Sequence, residues 1–135
     1  MSMVPVIRWG ILATGRIAAD FAQDLRHVHG SVVSAVGSRS EDTARAFAAR
    51  HAGADCRVHG SYEALVADPD VDVVYVASPH TLHHAHARLA LEAGKPVLCE
   101  KPLAMNVAEA EDLIALATER GLFFMEAMWS ACHPV

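Results

Sequence analysis

The chain has 135 residues, 53% hydrophobic and 20% charged, with a formal net charge of −5. Such a composition excludes intrinsic disorder, and an acidic balance argues against a nucleic-acid partner, which needs clustered Lys and Arg. No stretch reaches the roughly 18 consecutive apolar residues of a membrane span, and the N-terminus lacks the basic start and apolar run of a secretion signal.

Val6 to Leu12 is an apolar run broken by Arg8, as expected of a buried parallel strand. A helix follows, with Ile17, Ala18, Phe21, Leu25 and Val28 at helical spacing and Gly30 past its end. A second strand reads Val32 to Val36. Ser40 then caps a helix that carries Glu41 and Asp42 in its first turn and Ala44, Phe47 and Ala48 inward. Arg57-Val58-His59 is a short strand, Ser61 caps a helix from Tyr62 to Ala67, and Asp68-Pro69-Asp70 is a turn. Val71 to Ala77 is rich in β-branched residues and reads as the clearest strand, stopped by Ser78-Pro79. Thr81 to Ala93 is predicted helical, with Leu82, Ala85, Leu89 and Ala90 inward. Pro96 to Cys99 is a fifth strand. Asn106 caps a helix from Val107 to Arg120, with Val107, Ala110, Leu113, Ile114 and Ala117 as its stripe, and Leu122 to Met128 is a last apolar run.

Strands alternating with helices imply an α/β fold, a doubly wound parallel sheet covered on both faces. Residues 1–135 form one dinucleotide-binding domain by this reading, long enough to bury a core without disulfides or metal. Cys56, Cys99 and Cys132 are odd in number and widely spaced, which fits reduced thiols in a cytoplasm.

The turn after the first strand reads Ala13-Thr14-Gly15-Arg16-Ile17-Ala18. A full dinucleotide fingerprint has glycine at the first, third and sixth of these positions. Only the middle one is kept, the one through which the backbone reaches a pyrophosphate. An ordinary strand-helix turn fits the motif about as well. The second strand ends in Val36-Gly37-Ser38-Arg39-Ser40, with a guanidinium where an NAD site places a carboxylate. Arg39 and Ser38 therefore suit the 2′-phosphate of NADP, and Arg16 adds positive charge at the turn. A solvated surface arginine is the plainer alternative for both.

Lys101 follows the fifth strand in Cys99-Glu100-Lys101-Pro102, where ligands bind in open α/β sheets. A lysine ordinarily holds its proton well above neutral pH, so partial burial and the charge of an oxidised nicotinamide would be needed to free it for proton transfer. Glu100 would hold Lys101 in place or face the ribose. Pro102 restricts the backbone after it. His80, His83, His84 and His86 crowd seven positions, but no partner falls at a zinc spacing; most read as exposed helix residues, with His80 and His83 nearest the strand tip, and no metal is expected.

In order along the chain, Trp9 to Ala18, Gly37 to Ser40, Ala77 to His83, Glu100 to Ala104 and Glu126-Ala127-Met128-Trp129 resemble the glucose-fructose oxidoreductase/inositol dehydrogenase (Gfo/Idh/MocA) family. The Glu-Lys-Pro run with its upstream Pro-x-x-x-His is the more specific part. The closing motif is most similar to the dihydrodiol dehydrogenase-like branch. The resemblance implies Thr14, Gly15, Arg16 and Ile17 at the pyrophosphate, and Ser38 and Arg39 at the adenosine phosphate. It also implies Ser78, Pro79, His80 and His83 beside the nicotinamide, Glu100 at its ribose, Lys101 as acid/base and Trp129 closing the pocket. The implied cofactor is NADP, with NAD the alternative, and the implied substrate is a sugar, polyol or diol hydroxyl.

The sequence departs from that pattern in two ways. Such enzymes continue with Arg-Phe-x-Pro, whereas this chain reads Ser130-Ala131-Cys132-His133-Pro134. The family's second, substrate-binding half is also absent. The expectation is a cofactor domain truncated at its C-terminal end, which is either an oxidoreductase half or a non-catalytic nucleotide-binding module. Exposed apolar surface would then promote self-association, unless a separate chain supplies the missing half.

Overall fold

The computed structural model describes residues 4–132, so the closing His133-Pro134 lies outside it. Six strands form one sheet: β1 (Ile7–Leu12), β2 (Ser31–Gly37), β3 (Arg57–His59), β4 (Val73–Val76), β5 (Val97–Glu100) and β6 (Phe124–Ala127). Their order is β3-β2-β1-β4-β5-β6, and every neighbouring pair is parallel. The helices are α1 (Arg16–Leu25), α2 (Glu41–His51), α3 (Tyr62–Val66), α4 (His83–Glu92), α5 (Val107–Arg120) and the short α6 (Trp129–Cys132). None of these helices is long and apolar enough to cross a membrane.

The strand alternation sorts the core into two layers. Leu12, Val74, Val76, Val97 and Cys99 face α3, α4 and α5, meeting Leu65, Leu91 and Leu113. Ile11, Val36 and Tyr75 face α1 and α2, meeting Ala18, Ala22 and Phe47. Covered on both sides, β4 is buried at all four positions. The second layer stops short of the sheet's far edge. Beyond Tyr75, Leu98 and Met125 continue the row across β5 and β6, with Leu98 half-buried and Met125 38% exposed. They floor an apolar cavity of about 460 Å³ rimmed by Phe21, Met128 and Trp129.

The caps read from the sequence form. Ser40, Ser61 and Asn106 each accept a backbone N–H of the first turn, and Gly121 ends α5 at φ +63°. Three expectations fail. The strand expected from Val71 starts at Val73, because Arg8 binds Asp70 at 2.7 Å and Asp72 at 2.8 Å and draws the preceding residues into a turn. In α4 the inward residues are His83, Ala87, Ala90 and Leu91, not Leu82 and Ala85. Histidines stand on several sides of that helix, and the one turned inward is His83, which reaches two backbone carbonyls. In α5, Leu113, Leu116 and Ala117 are buried while Val107 and Ile114 face outward, 72% and 52% exposed.

Candidate functional site

The strand order reverses between β1 and β4, and in open α/β sheets the ligand crevice lies outside the strand tips at that point. Two helices start there, α1 after β1 and α4 after β4. Neither has a side-chain cap or an acidic residue in its first turn. By contrast α2, α3 and α5, which start elsewhere, all have both. At α1 the unsatisfied N–H groups and the positive end of the helix dipole thus face the crevice, the arrangement that takes an anion, whereas α4 is entered through a 3-10 turn, His80–Leu82, in which the Leu82 N–H donates to the Pro79 carbonyl and the His83 N–H to the His80 carbonyl.

Ala13 occupies the first fingerprint position at φ +81°, the left-handed region that favours glycine. Its N–H donates to the Gly37 carbonyl at 3.1 Å, which ties the turn to the tip of β2. Gly15, the N-cap of α1, has an ordinary φ of −78°, and a Cβ added there would meet nothing within 4 Å. Nothing in the chain itself requires glycine at that place, so the open space is room for a ligand. Thr14 and Ile17 flank it, half-buried.

At the tip of β2, Ser38 is buried and its N–H donates to the His59 carbonyl at 3.1 Å, while Arg39 points into solvent. Arg8, Arg45, Arg57 and Arg88 all lie in ion pairs. Among the described residues Arg16, Arg26, Arg39, Arg50 and Arg120 have no acidic partner, and of these Arg16 and Arg39 stand at strand-tip turns.

On the other side of the switch point, Ile17, Ser78, His80, His83, Glu100, Lys101 and Trp129 line a cavity of about 400 Å³. Ser78 is buried and its hydroxyl has no partner within the described residues. Pro79, His80 and Trp129 are exposed at the rim. Lys101 is also exposed rather than partly buried, because the turn after β5 lifts it clear of the sheet. Any desolvation of its amine must therefore come from what binds over it. The Lys101–Pro102 peptide is cis.

Glu100 is the buried member of the group, 7% exposed. Tyr75 on β4 donates its hydroxyl to Glu100 Oε1 at 2.6 Å, and the Lys101 N–H donates to Oε2 at 3.3 Å. Burial, reinforced by the Glu100 carboxylate, pushes the Tyr75 hydroxyl far above its usual range, so it remains a donor. The Tyr75 ring stacks on Phe21 at 3.9 Å and 18°, and Trp9 meets Phe21 edge-on at 5.2 Å. Sequence reasoning missed Tyr75. The available signal was that β4 and β5 lie side by side, which brings Tyr75 next to the end of β5.

The histidine cluster disperses. His84 binds Asp112 on α5 at 2.8 Å, and His86 packs against Tyr62 with ring centroids 4.7 Å apart. His83 is fully buried in the cavity wall, and His80 stands exposed in the crevice.

A parallel sheet in this order, with a glycine turn and an uncapped helix start at its switch point, defines a Rossmann-type dinucleotide-binding domain. The chain belongs to the Gfo/Idh/MocA family: residues 7–128 match the group described as "Oxidoreductase family, NAD-binding Rossmann fold". It is 46% identical over 131 residues to trans-1,2-dihydrobenzene-1,2-diol dehydrogenase of Bos taurus, covering 95% of this chain and 38% of that protein. It is 44% identical over 139 residues to D-xylose 1-dehydrogenase (NADP(+)) of Hypocrea jecorina, covering 96% and 36%. A crystal structure of a 3-ketoreductase from Actinomadura kijaniata with NADP superposes with a TM-score of 0.89 at 38% identity, over 96% of this chain and 41% of that one. The chain thus spans well under half the length of these relatives.

Proposed function

We propose that this chain is the cofactor half of an NADP(H)-dependent oxidoreductase acting on a sugar, polyol or diol hydroxyl. The observation that carries the reading is the convergence, at one switch point, of Lys101 with the uncapped start of α1. The residues fit a dinucleotide: the room at Gly15, the bare N–H groups of α1 and the unpartnered Ser78 hydroxyl each lack a protein partner. Thr14, Gly15, Arg16 and Ile17 would hold the pyrophosphate. Ser38 and Arg39 would hold the 2′-phosphate, and Ser78, Pro79 and His80 would border the nicotinamide. When bound, the cofactor supplies or accepts the hydride.

The remaining steps belong to the chain's own side chains. Glu100, fixed by Tyr75, orients the nicotinamide ribose through its free lone pairs. The Lys101 amine takes the proton from the substrate hydroxyl when that carbon is oxidised and returns it in the reverse direction. Trp129 at the rim excludes water from the reacting carbon. Because the chain spans 36–41% of its relatives, a nucleotide-binding module without turnover of its own is the second reading.

Fluorescence titration with NADPH and NADH tests the first claim. NADPH should bind more tightly, and Arg39→Ala should weaken it about tenfold or more while leaving NADH unchanged, the expected loss of charge-assisted hydrogen bonds. Lys101→Ala should abolish turnover and spare cofactor binding. Failure of both dinucleotides to bind refutes the reading. Binding without turnover on a panel of sugars and diols selects the second.

A further inference from the structure

His83 stands at the start of α4 with no exposed surface, and both of its ring nitrogens are engaged. Nδ1 lies 2.7 Å from the Pro102 carbonyl oxygen, and Nε2 lies 2.8 Å from the Ser78 carbonyl oxygen. Carbonyl oxygens only accept. A neutral imidazole carries one N–H, so it would satisfy one of these contacts and aim a lone pair at an oxygen lone pair in the other. Both distances are hydrogen-bond distances only when both nitrogens carry hydrogen.

We propose that His83 is held as an imidazolium, and that this charged clamp joins the tip of β4 to the Lys101-Pro102 turn and so positions Lys101. The two backbones it joins form the two sides of the cavity that Lys101 lines. A ring whose nitrogens are both committed to the backbone has none left for a ligand. His83 therefore acts from within the cavity wall by holding backbone rather than by donating to a ligand.

Burying a cation is costly unless it is hydrogen-bonded and compensated. Two charge-assisted bonds meet the first need. The surrounding charges meet the second. From the tip of β5 the Glu100 carboxylate and the Lys101 amine share the cavity wall with His83. From the preceding turn the His80 ring lies 5.6 Å away, centroid to centroid, edge-on. On its own helix, His84 is turned outward to Asp112, and burial pulls His86 toward its neutral form. The Cys99 thiol of β5 is pushed by burial up to about 12 and stays uncharged. Glu100 is thus the one buried anion of the set.

The proposal rests on the cofactor reading only for its purpose, and the first test needs no cofactor. Long-range ¹H–¹⁵N spectra of the ¹⁵N-labelled chain report the protonation of each imidazole nitrogen, with His83 assigned by the signals lost in His83→Gln. At pH 7 both His83 nitrogens should be protonated; one bare nitrogen overturns the clamp. For positioning, the Lys101 and Leu103 amide signals of folded His83→Gln should move from their wild-type places, and unmoved amides overturn that role. If His83→Gln does not fold, the wild-type chain decides both points. As pH rises until the ring loses a proton, the Lys101 and Leu103 amide signals should shift with the same midpoint, and amides indifferent to the ring overturn the coupling. If NADPH does not bind the wild-type chain at all, the cofactor reading falls, while the spectra still decide the imidazolium and its coupling to the Lys101 turn.

Discussion

Replacing Tyr75 with Phe isolates one hydrogen bond in the middle of the candidate site. The Tyr75 side chain is 1% exposed, and its hydroxyl donates to Glu100 Oε1 at 2.6 Å. Phenylalanine keeps the ring stacked on Phe21, so packing is unchanged and only the donor is lost. What remains for the buried carboxylate is the longer 3.3 Å contact from the Lys101 N–H. A hydrogen bond to a charged group contributes about 1.5–3 kcal/mol, and the poor alternative partner puts this one toward the upper end, about 2–3 kcal/mol. With a urea slope of about 1–3 kcal/mol per molar, the unfolding midpoint should fall by roughly 1 M or more. Urea denaturation followed by circular dichroism measures this, with Glu100→Gln and the double variant completing a cycle. A coupling energy above about 1 kcal/mol is expected for two groups in direct contact. Because the Tyr75 proton stays on at any accessible pH, the loss should not change between pH 6 and pH 9. A Tyr75→Phe change costing under about 0.5 kcal/mol would refute the view that this pair fixes Glu100.

Asp68 has 1% of its side chain exposed and accepts from Arg57 at 3.0 Å, His59 at 2.8 Å and the Asp70 N–H at 2.8 Å. Burial pulls its carboxyl upward, but the Asp70 N–H, His59 and Arg57 outweigh it and hold it below the ordinary value. A depressed folded-state value contributes stability above the unfolded value near pH 4 and loses it as pH falls further. Asp68→Asn should therefore be less stable at pH 7 and show a flatter acid limb in thermal melts; an unchanged acid slope would contradict this. The open sheet face predicts self-association of the chain through Met125, Met128 and Trp129, which are 38%, 46% and 57% exposed. Sedimentation velocity should show concentration-dependent association that Trp129→Glu reduces; a wild-type monomer at all concentrations would reject it.

The sheet was legible because its signals are local. Apolar runs of four to seven residues alternate with helical spacing, and Ser40, Ser61, Asn106 and Gly121 mark helix ends through their own backbone chemistry. Gly15, Arg39 and Lys101 were legible because each stands next to a strand's end, and the topology brings strand ends together. What depends on partners distant in sequence was not legible. Glu100 and Tyr75 are 25 residues apart, and their contact follows from strand order. The face of α4 was misread because three of its residues are histidines, and which of them turns inward depends on His83 finding backbone carbonyls from other elements. Even then, the acceptors of His83 are carbonyls of Ser78 and Pro102, and every residue has a carbonyl. Lys101 was expected to be partly buried from its place at the sheet's rim, but a side chain leaving a turn follows the direction of the turn, which residue type does not give.

The uncapped start of α1 bears on how affinity is measured. Until a dinucleotide arrives, its N–H groups are hydrated, and any small oxyanion can displace that water. Inorganic phosphate and sulfate carry the same oxygens as a pyrophosphate. In phosphate buffer or after ammonium sulfate precipitation, a titration therefore reports an exchange of one anion for another. Dissociation constants for this chain will be comparable only when the buffer ion is stated and held fixed.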